Sequence, residues 1–197
     1  TDKQMSEQFK KWFHDIRTAL PPANVASPKI VDIGCGLGIY HVHLKHYFRG
    51  RSEHFLVDQS QYQVGQRGYE QHSRHGGFHN EVDKMPFYTS EPCARDIAMA
   101  NGFNVSNWHW VNATVPNVAA LEKVDIVMSL LSWGFHYPIE VYSSTVRQLL
   151  KPGGRLILTI RAGKGLELKL ERAGFSCEVL PSQPKSFGAK ALLIVCK

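Results

Sequence analysis

Short apolar runs alternate with stretches of helical spacing along most of the chain. The apolar runs predict strands, at residues 29–33, 54–57, 108–111, 124–131, 155–160, 177–180 and 191–196. Helical spacing occupies residues 39–48, 91–101, 141–150 and 166–173. Strands that alternate with helices form parallel sheets covered on both faces. We therefore predict a doubly wound α/β fold with a mostly parallel seven-stranded sheet. The last two runs have no helix between them, which suits an antiparallel last strand.

The first 22 residues predict a helix that packs on another element. Phe9, Phe13, Ile16 and Leu20 recur at helical spacing, and two prolines at residues 21–22 end the pattern. With 197 residues, of which 43% are hydrophobic, the chain is long enough for a core without disulfides or a structural metal. We predict a single domain over residues 1–197.

A segment of residues 59–89 has no clear periodicity and is rich in aromatic residues and histidines. Structureless loops of this length are uncommon in compact domains and are usually functional or disordered. Because its aromatic residues argue against a mere linker, we predict a lid inserted after the second strand.

The chain carries a net charge of +6 at pH 7. This charge suits an anionic acceptor, such as a phosphorylated or nucleotide-linked one, or nucleic acid. Since the basic residues are spread along the chain, a solvated basic surface explains them equally well.

Neither a membrane span nor a signal peptide is visible, because no apolar run approaches bilayer length and the start is polar. We expect a cytoplasmic protein without a membrane segment. The four cysteines, at positions 35, 93, 177 and 196, include no C-x-x-C pair. We predict buried, reduced thiols rather than disulfides or zinc ligands.

The sequence V-D-I-G-C-G-L-G, residues 31–38, carries the strongest chemical signal. It runs from a strand through three close glycines into a helix. Glycines allow backbone conformations closed to other residues and a close approach to a ligand. The second strand ends at Asp58, where a carboxylate accepts hydrogen bonds from two ribose hydroxyls.

Two nucleotide ligands compete for this loop. A nicotinamide dinucleotide requires G-x-G-x-x-G around its pyrophosphate, whereas the third glycine here comes one residue early. Asp32 stands just before the loop, where its charge repels a pyrophosphate and favours an ammonium group. S-adenosylmethionine carries such a group, so we prefer it.

The glycine motif resembles motif I of class I S-adenosylmethionine-dependent methyltransferases, which have a Rossmann-like fold. Asp58 resembles the acidic residue of motif II, and Asn112-Ala113 stands where the family often has Asp-Ala beside the adenine. Residues 124–129 resemble the fourth strand, and L-L-K-P-G-G, residues 149–154, resembles the turn before the fifth. The resemblance covers roughly residues 25–197. The chain departs from it in having asparagine at residue 112 and the long insertion.

The resemblance implies a methyltransferase that binds S-adenosyl-L-methionine. The expected cofactor-binding residues are Asp32, Gly34, Cys35, Gly36, Gly38, Asp58, Gln59, Asn112, Ala113, Ser129 and Leu130.

The acceptor is expected beside S-W-G-F-H-Y-P, residues 132–138, since ligands of α/β sheets bind beyond the carboxyl ends of strands. With the aromatic insertion, this segment resembles small methyltransferases associated with sugar or polysaccharide pathways. Trp133, Phe135 and Tyr137 are candidates to stack on a sugar or on the adenine, or else belong to the core. Tyr69 and Tyr88 are further candidate substrate contacts.

Methyl transfer to a hydroxyl needs a positioned acceptor and a base. His136 is our first candidate base, because imidazole titrates near neutrality; the alternative is a structural histidine. His79 is the second candidate. His72, His75 and His79 also raise the question of a metal, but no acidic partner is suitably spaced, so we predict none.

The sequence therefore predicts a methyltransferase for a small acceptor, with O-methylation favoured. An RNA or protein methyltransferase is the alternative, although no nucleic-acid module and no N-P-P-Y-like motif is visible. A non-catalytic binding protein of the same fold is disfavoured by the intact glycine loop. The oligomeric state is left open.

Overall fold

One mixed sheet of seven strands organises the chain. The computed structural model describes residues 10, 13–58, 91–135, 137–180 and 191–197. The strands are β1 (Lys29–Ile33), β2 (Glu53–Asp58), β3 (Trp108–Asn112), β4 (Val124–Ser129), β5 (Leu150–Arg161), β6 (Cys177–Val179) and β7 (Ala191–Cys196). Their order is β3-β2-β1-β4-β5-β7-β6.

All pairs are parallel except those of β7, which runs antiparallel to both β5 and β6. The predicted doubly wound sheet with an antiparallel last strand is confirmed. The chain proceeds outward from β1 to β3 and then returns to β4 on the other side of β1. This reversal opens a crevice at the carboxyl ends of β1 and β4, where α/β sheets bind their ligands.

Five α-helices lie wholly within the described residues: α1 (Ile39–Tyr47), α2 (Glu91–Ala100), α3 (Val115–Ala119), α4 (Ser143–Leu149) and α5 (Leu166–Arg172). Successive side chains of a strand point to opposite faces of the sheet, so the contacts of neighbouring residues show which helices cover each face. Ile126 and Met128 of β4 pack in one cluster with Leu44 of α1. Val127 packs in another cluster with Val146 of α4. The helices α3 to α5 thus cover one face, and α1 covers the other.

The N-terminal segment shares the face covered by α1. Residues 13–17 are helical, and Ile16 and Leu20 are buried in the same cluster as Leu44. Arg155 of β5 donates from Nη1 to the carbonyl oxygens of Ala19 and Leu20, at 2.8 and 3.1 Å. Residues 13–20 therefore pack on the sheet, although the helix ends at Arg17 and not at Leu20 as predicted. The earlier part of the segment lies largely outside the described residues, as does the predicted lid.

Three local predictions were wrong. Residues 151–154 do not form a turn before the fifth strand but belong to β5, where the register shifts as the backbone bulges beside Val124 and Ile126. The helix predicted from Val141 begins at Ser143, after a 3-10 turn. The apolar run of β4 ends as a strand at Ser129, because Leu131 takes a left-handed conformation with φ 63°.

The prediction of reduced thiols is wrong for two cysteines. Cys177 and Cys196 stand opposite each other in the antiparallel pairing of β6 and β7, with Cα atoms 4.0 Å apart, and form a disulfide. The pairing partner of a strand is not visible in its own sequence. Cys35 is a buried thiol, as predicted, whereas Cys93 is exposed.

No helix within the described ranges combines the length and apolar character needed to cross a bilayer.

Candidate functional site

The glycine loop between β1 and α1 depends on left-handed backbone geometry. Gly34, Gly36 and Gly38 have φ angles of 76°, 57° and 67°, which side chains disfavour. The amide of Gly34 donates to the carbonyl of Val57 at 2.7 Å, which holds the loop against the end of β2. Gly38 is the residue before α1, and a Cβ there would lie 2.5 Å from Cδ2 of Leu56. The loop between β1 and α1 is therefore packed closely against the end of β2.

Asp58 contacts this loop directly. Its Oδ2 accepts a hydrogen bond from the amide of Gly36 at 2.8 Å. Asn112 stands opposite Asp58 in the pairing of β2 and β3, and the amide of Ala113 donates to the Asp58 carbonyl at 3.1 Å. The structure thus brings four of the predicted cofactor residues together at one edge of the sheet. A carboxylate at the end of the second strand is the group that accepts hydrogen bonds from a ribose diol in sheets of this kind.

Two carboxylates, Asp32 on β1 and Asp58 at the end of β2, flank the loop that carries Cys35. Burial raises the pKa of the Cys35 thiol well above its usual value, and the negative charges of Asp32 and then Asp58 raise it further. Its Sγ lies 3.6 Å from the carbonyl oxygen of Gly36. The thiol is therefore protonated, and in the structure it is a packing residue of the loop.

The segment after β4 is fastened beside the loop. Ser129, which is buried, donates from Oγ to the carbonyl of Ile33 at 2.6 Å and accepts from the amide of Trp133 at 2.9 Å. The amide of Leu131 donates to Oγ1 of Thr159 at 2.6 Å. Ser129 therefore links the carboxyl end of β1 to the segment after β4, while Leu130 packs in the core. Sequence reasoning missed Thr159 and the left-handed Leu131.

The three predicted aromatic contacts differ in position. Trp133 is fully buried, donates from Nε1 to the carbonyl of Ile139 at 2.9 Å and meets Tyr142 edge to face. It occupies the core position that was the alternative to a substrate contact. Phe135 lies 5.0 Å from the guanidinium of Arg161, and Tyr137 is 46% exposed.

Phe135 and Tyr137 line a cleft of about 300 Å³ at the carboxyl end of β5. Two cations that sequence reasoning did not single out, Arg161 and Lys164, also line it. Lys169 lies at the same cleft and forms an ion pair with Glu140 at 2.7 Å, which lowers the pKa of that carboxyl. The cleft therefore combines aromatic surface with positive charge.

Five predicted site residues lie outside the described part of the chain: Gln59, Tyr69, His79, Tyr88 and His136. Among the residues that the structure does describe, no three histidine, cysteine, aspartate or glutamate side chains cluster as metal ligands. His72, His75 and His79 are not among them, so the expectation of no metal stays a prediction.

A buried polar chain extends inward from the loop, and sequence reasoning missed it. Oδ2 of Asp32 lies 3.1 Å from Nε2 of His41, whose Nδ1 lies 2.7 Å from Nδ1 of His54. Nε2 of His54 lies 2.7 Å from Oγ of Ser52. All four residues are buried. The available signal was a histidine in the apolar run of β2, a position where polar residues are uncommon.

No protein-family model and no curated protein sequence matches the chain. Solved structures do match it. A precorrin-6y C5,15-methyltransferase from Geobacter metallireducens has a TM-score of 0.57 at 16% identity, over 94% of this chain and 84% of that one. An S-adenosylmethionine-dependent methyltransferase from Mesorhizobium loti has a TM-score of 0.59 at 16% identity, over 92% and 95%.

The fibrillarin of Aeropyrum pernix, with natively bound S-adenosyl-L-methionine, has a TM-score of 0.59 at 14% identity, over 93% of this chain and 72% of that one. The chain has the Rossmann-like methyltransferase fold. At these identities the likeness shows a shared fold, and the activity has to be argued from the site.

Proposed function

We propose that the protein is an S-adenosylmethionine-dependent methyltransferase that acts on a small acceptor. The observation that carries this proposal is the hydrogen bond from the Gly36 amide to Asp58, which joins the glycine loop to an acidic strand end at the topological switch point. The methyltransferases of the same fold support it, and one of them holds S-adenosyl-L-methionine.

The residues around the loop fit the chemistry of this cofactor. Asp58 supplies a carboxylate at the end of β2, the group that accepts hydrogen bonds from two ribose hydroxyls, and Asn112 with Ala113 stands beside it for the adenine. Asp32 supplies a buried carboxylate for the ammonium group; its Oδ1 has no hydrogen-bond partner among the described residues. When bound, the cofactor supplies an electrophilic methyl group on a sulfonium.

The chain itself has to position the acceptor, exclude water and remove a proton. For an acceptor hydroxyl we propose His136 as the base, with His79 as the second candidate. Tyr69 and Tyr88 would contact the acceptor from a lid formed by residues 59–89. Phe135 and Tyr137 support this site from the cleft beyond β4 and β5. Trp133 would support them from the core.

A small acceptor with an anionic group, such as a phosphorylated sugar, suits the cleft best. Arg161 and Lys164 stand beside the aromatic surface, where a cation attracts a phosphate and a ring stacks on a sugar. The sugar assignment rests on the resemblance of residues 132–138 to small methyltransferases of sugar and polysaccharide pathways. An RNA acceptor would instead need a continuous basic stripe along the cofactor mouth.

The cofactor assignment is tested by calorimetry with S-adenosylmethionine on the wild type and on Asp58→Ala. We expect Asp58→Ala to lower affinity roughly tenfold to a hundredfold, because it removes hydrogen bonds to a charged group. Asp96→Ala is the matched control, since Asp96 is exposed on α2, and we expect it to bind like the wild type. Equal affinity of Asp58→Ala and the wild type would refute the role of Asp58; no binding by the wild type would refute the proposed function.

The acceptor is found by incubating the protein with methyl-labelled cofactor and a cell extract fractionated by size and charge. We expect label in a small, anionic fraction that survives nuclease and protease treatment. Label in nuclease-sensitive material would contradict the small-acceptor proposal and favour RNA.

A further inference from the structure

The hydrogen bonds between Asp32, His41, His54 and Ser52 can run in only one direction when both histidines are neutral and the aspartate is ionised. An ionised carboxylate accepts only, so His41 must donate to Asp32 from Nε2. A neutral imidazole carries one proton, so Nδ1 of His41 must accept, and Nδ1 of His54 must donate to it. Nε2 of His54 then accepts the hydroxyl proton of Ser52.

With a neutral His41, the opposite direction would place the lone pair of its Nε2 against the carboxylate of Asp32. That carboxylate would then have to be protonated. We propose that Ser52, His54 and His41 form a one-way hydrogen-bond chain that fixes the ionised Asp32 carboxylate as the acceptor of the cofactor's ammonium group. This inference rests on the proposed function. The three residues are positioning residues, since they act through Asp32.

The arrangement preserves the negative charge that Asp32 needs. One carboxylate oxygen takes the bond from His41, and the other is buried without a hydrogen-bond partner among the described residues. An unsatisfied buried acceptor is costly, and a cationic donor removes that penalty. Because neutral His41 donates a hydrogen bond but no charge, Asp32 keeps its full attraction for a cation.

The surroundings keep the inner histidine neutral. Burial lowers the pKa of His54 well below its ordinary value; the ammonium of Lys45, and His41 or His109 when protonated, lower it further. His41 and Lys45 are on α1, and His109 is on β3. Phe103 covers the ring of His54 edge to face, so the apolar side offers no competing partner.

Nitrogen-15 spectra of the histidine rings test the direction without any cofactor. Above neutral pH we expect His41 protonated on Nε2 only and His54 protonated on Nδ1 only. The spectra of Ser52→Ala, which removes the last donor, assign the His54 signals. A doubly protonated His41, or a His54 protonated on Nε2, would overturn the proposal.

Two ligands distinguish a loss of Asp32 positioning from a general loss of folding in the His41 variants. S-adenosylhomocysteine keeps the ammonium group, whereas methylthioadenosine keeps the adenosine and lacks it. His41→Phe retains a ring but neither nitrogen, and we expect it to lower affinity for S-adenosylhomocysteine about tenfold or more. Its affinity for methylthioadenosine should stay within about twofold of the wild type, a change of less than half a kcal/mol.

His41→Gln retains an amide donor and acceptor and should recover most of the lost affinity. His46→Gln is the matched control, because His46 is exposed on the same helix. Wild-type preference for S-adenosylhomocysteine in His41→Phe would overturn the inference. If His41→Phe does not fold, the same comparison on Ser52→Ala decides, with a weaker loss of preference expected. A wild type that binds neither ligand contradicts the proposed function instead.

Discussion

Gly34 shows how closely the segment after β4 approaches the glycine loop. A Cβ built on Gly34 would lie 1.9 Å from Oγ and 2.2 Å from Cβ of Ser132. A different rotamer of Ser132 would move its Oγ but not its Cβ, so the overlap can be removed only by a shift of the backbone. Both segments belong to the candidate site, and the contact therefore couples the glycine loop to the segment after β4.

We predict that Gly34→Ala destabilises the protein and weakens cofactor binding. The left-handed backbone, with φ 76°, costs alanine about 1–2 kcal/mol, and overpacking adds about 1–3 kcal/mol. Urea unfolding and calorimetry measure the two effects.

Gly153→Ala is the control, because Gly153 has φ 77° and no atom within 4 Å of an added Cβ. It should lose only the backbone contribution. Ser132→Gly in the Gly34→Ala background should restore part of the loss. Equal stability losses in Gly34→Ala and Gly153→Ala would contradict a close contact with Ser132.

Positions that depend on a local motif could be predicted, whereas contacts that depend on a distant partner could not. The glycine loop and Asp58 were predicted because strand ends and turn residues are local features of the sequence. That residues 132–138 contact the acceptor stays a prediction, and the burial of Trp133 depends on the carbonyl of Ile139 and on Tyr142. His41 and His54 meet only after α1 folds onto β2.

At the scale of elements, the strands were predicted best because buried strands are continuous apolar runs. The bounds of β1 and β7 match the prediction fully. α3 was missed because it has only five residues, too few to show a helical spacing. Its first turn is capped by Thr114, whose side chain accepts a hydrogen bond from the amide of Asn117. The bulge in β5 was missed because a strand register is set by its neighbour β4.

The disulfide between β6 and β7 is predicted to stabilise the sheet edge. It closes a segment with a sequence separation of 19 residues, for which the entropy of the unfolded chain gives about 3 kcal/mol. Cys177→Ser should therefore lower the free energy of unfolding by about 2–3 kcal/mol under non-reducing conditions. Urea unfolding with and without reductant measures it.

Reductant should destabilise the wild type by a similar amount and leave Cys177→Ser unchanged. Cys93→Ser serves as the control, because Cys93 is exposed on α2. An unfolding curve of the wild type that does not respond to reductant would show that the bond does not stabilise the fold.

At the scale of the whole molecule, the order of the strands explains why the site is where it is. The reversal between β1 and β4 places the ends of β1, β2 and β4 side by side, and each of them contributes to the site: Asp32, Asp58 and the segment after Ser129. Fold and location follow from the alternation of strands and helices. The acceptor does not, because it depends on side chains that different parts of the chain bring together.

The free energy of unfolding of the whole molecule should decrease as the pH is lowered below the ordinary pKa of a histidine, because of His54. Its pKa is lowered in the folded protein, mainly by burial; the ammonium of Lys45, and His41 or His109 when protonated, lower it further. Below its ordinary value of 6.5, the unfolded chain takes up a proton that the folded protein does not. Stability therefore rises with pH there, by up to about 1.4 kcal/mol per pH unit for this group.

The prediction is checked by urea unfolding between about pH 5 and 7, a range above the titration of ordinary carboxylates. His54→Gln should have a shallower slope than the wild type. His43→Gln is the comparison, because His43 is half-buried, with a pKa also lowered by burial, but lies outside the chain of four residues. It should keep most of the slope. If His54→Gln loses stability with falling pH as steeply as the wild type, the buried histidine is not the group that makes the fold sensitive to acid.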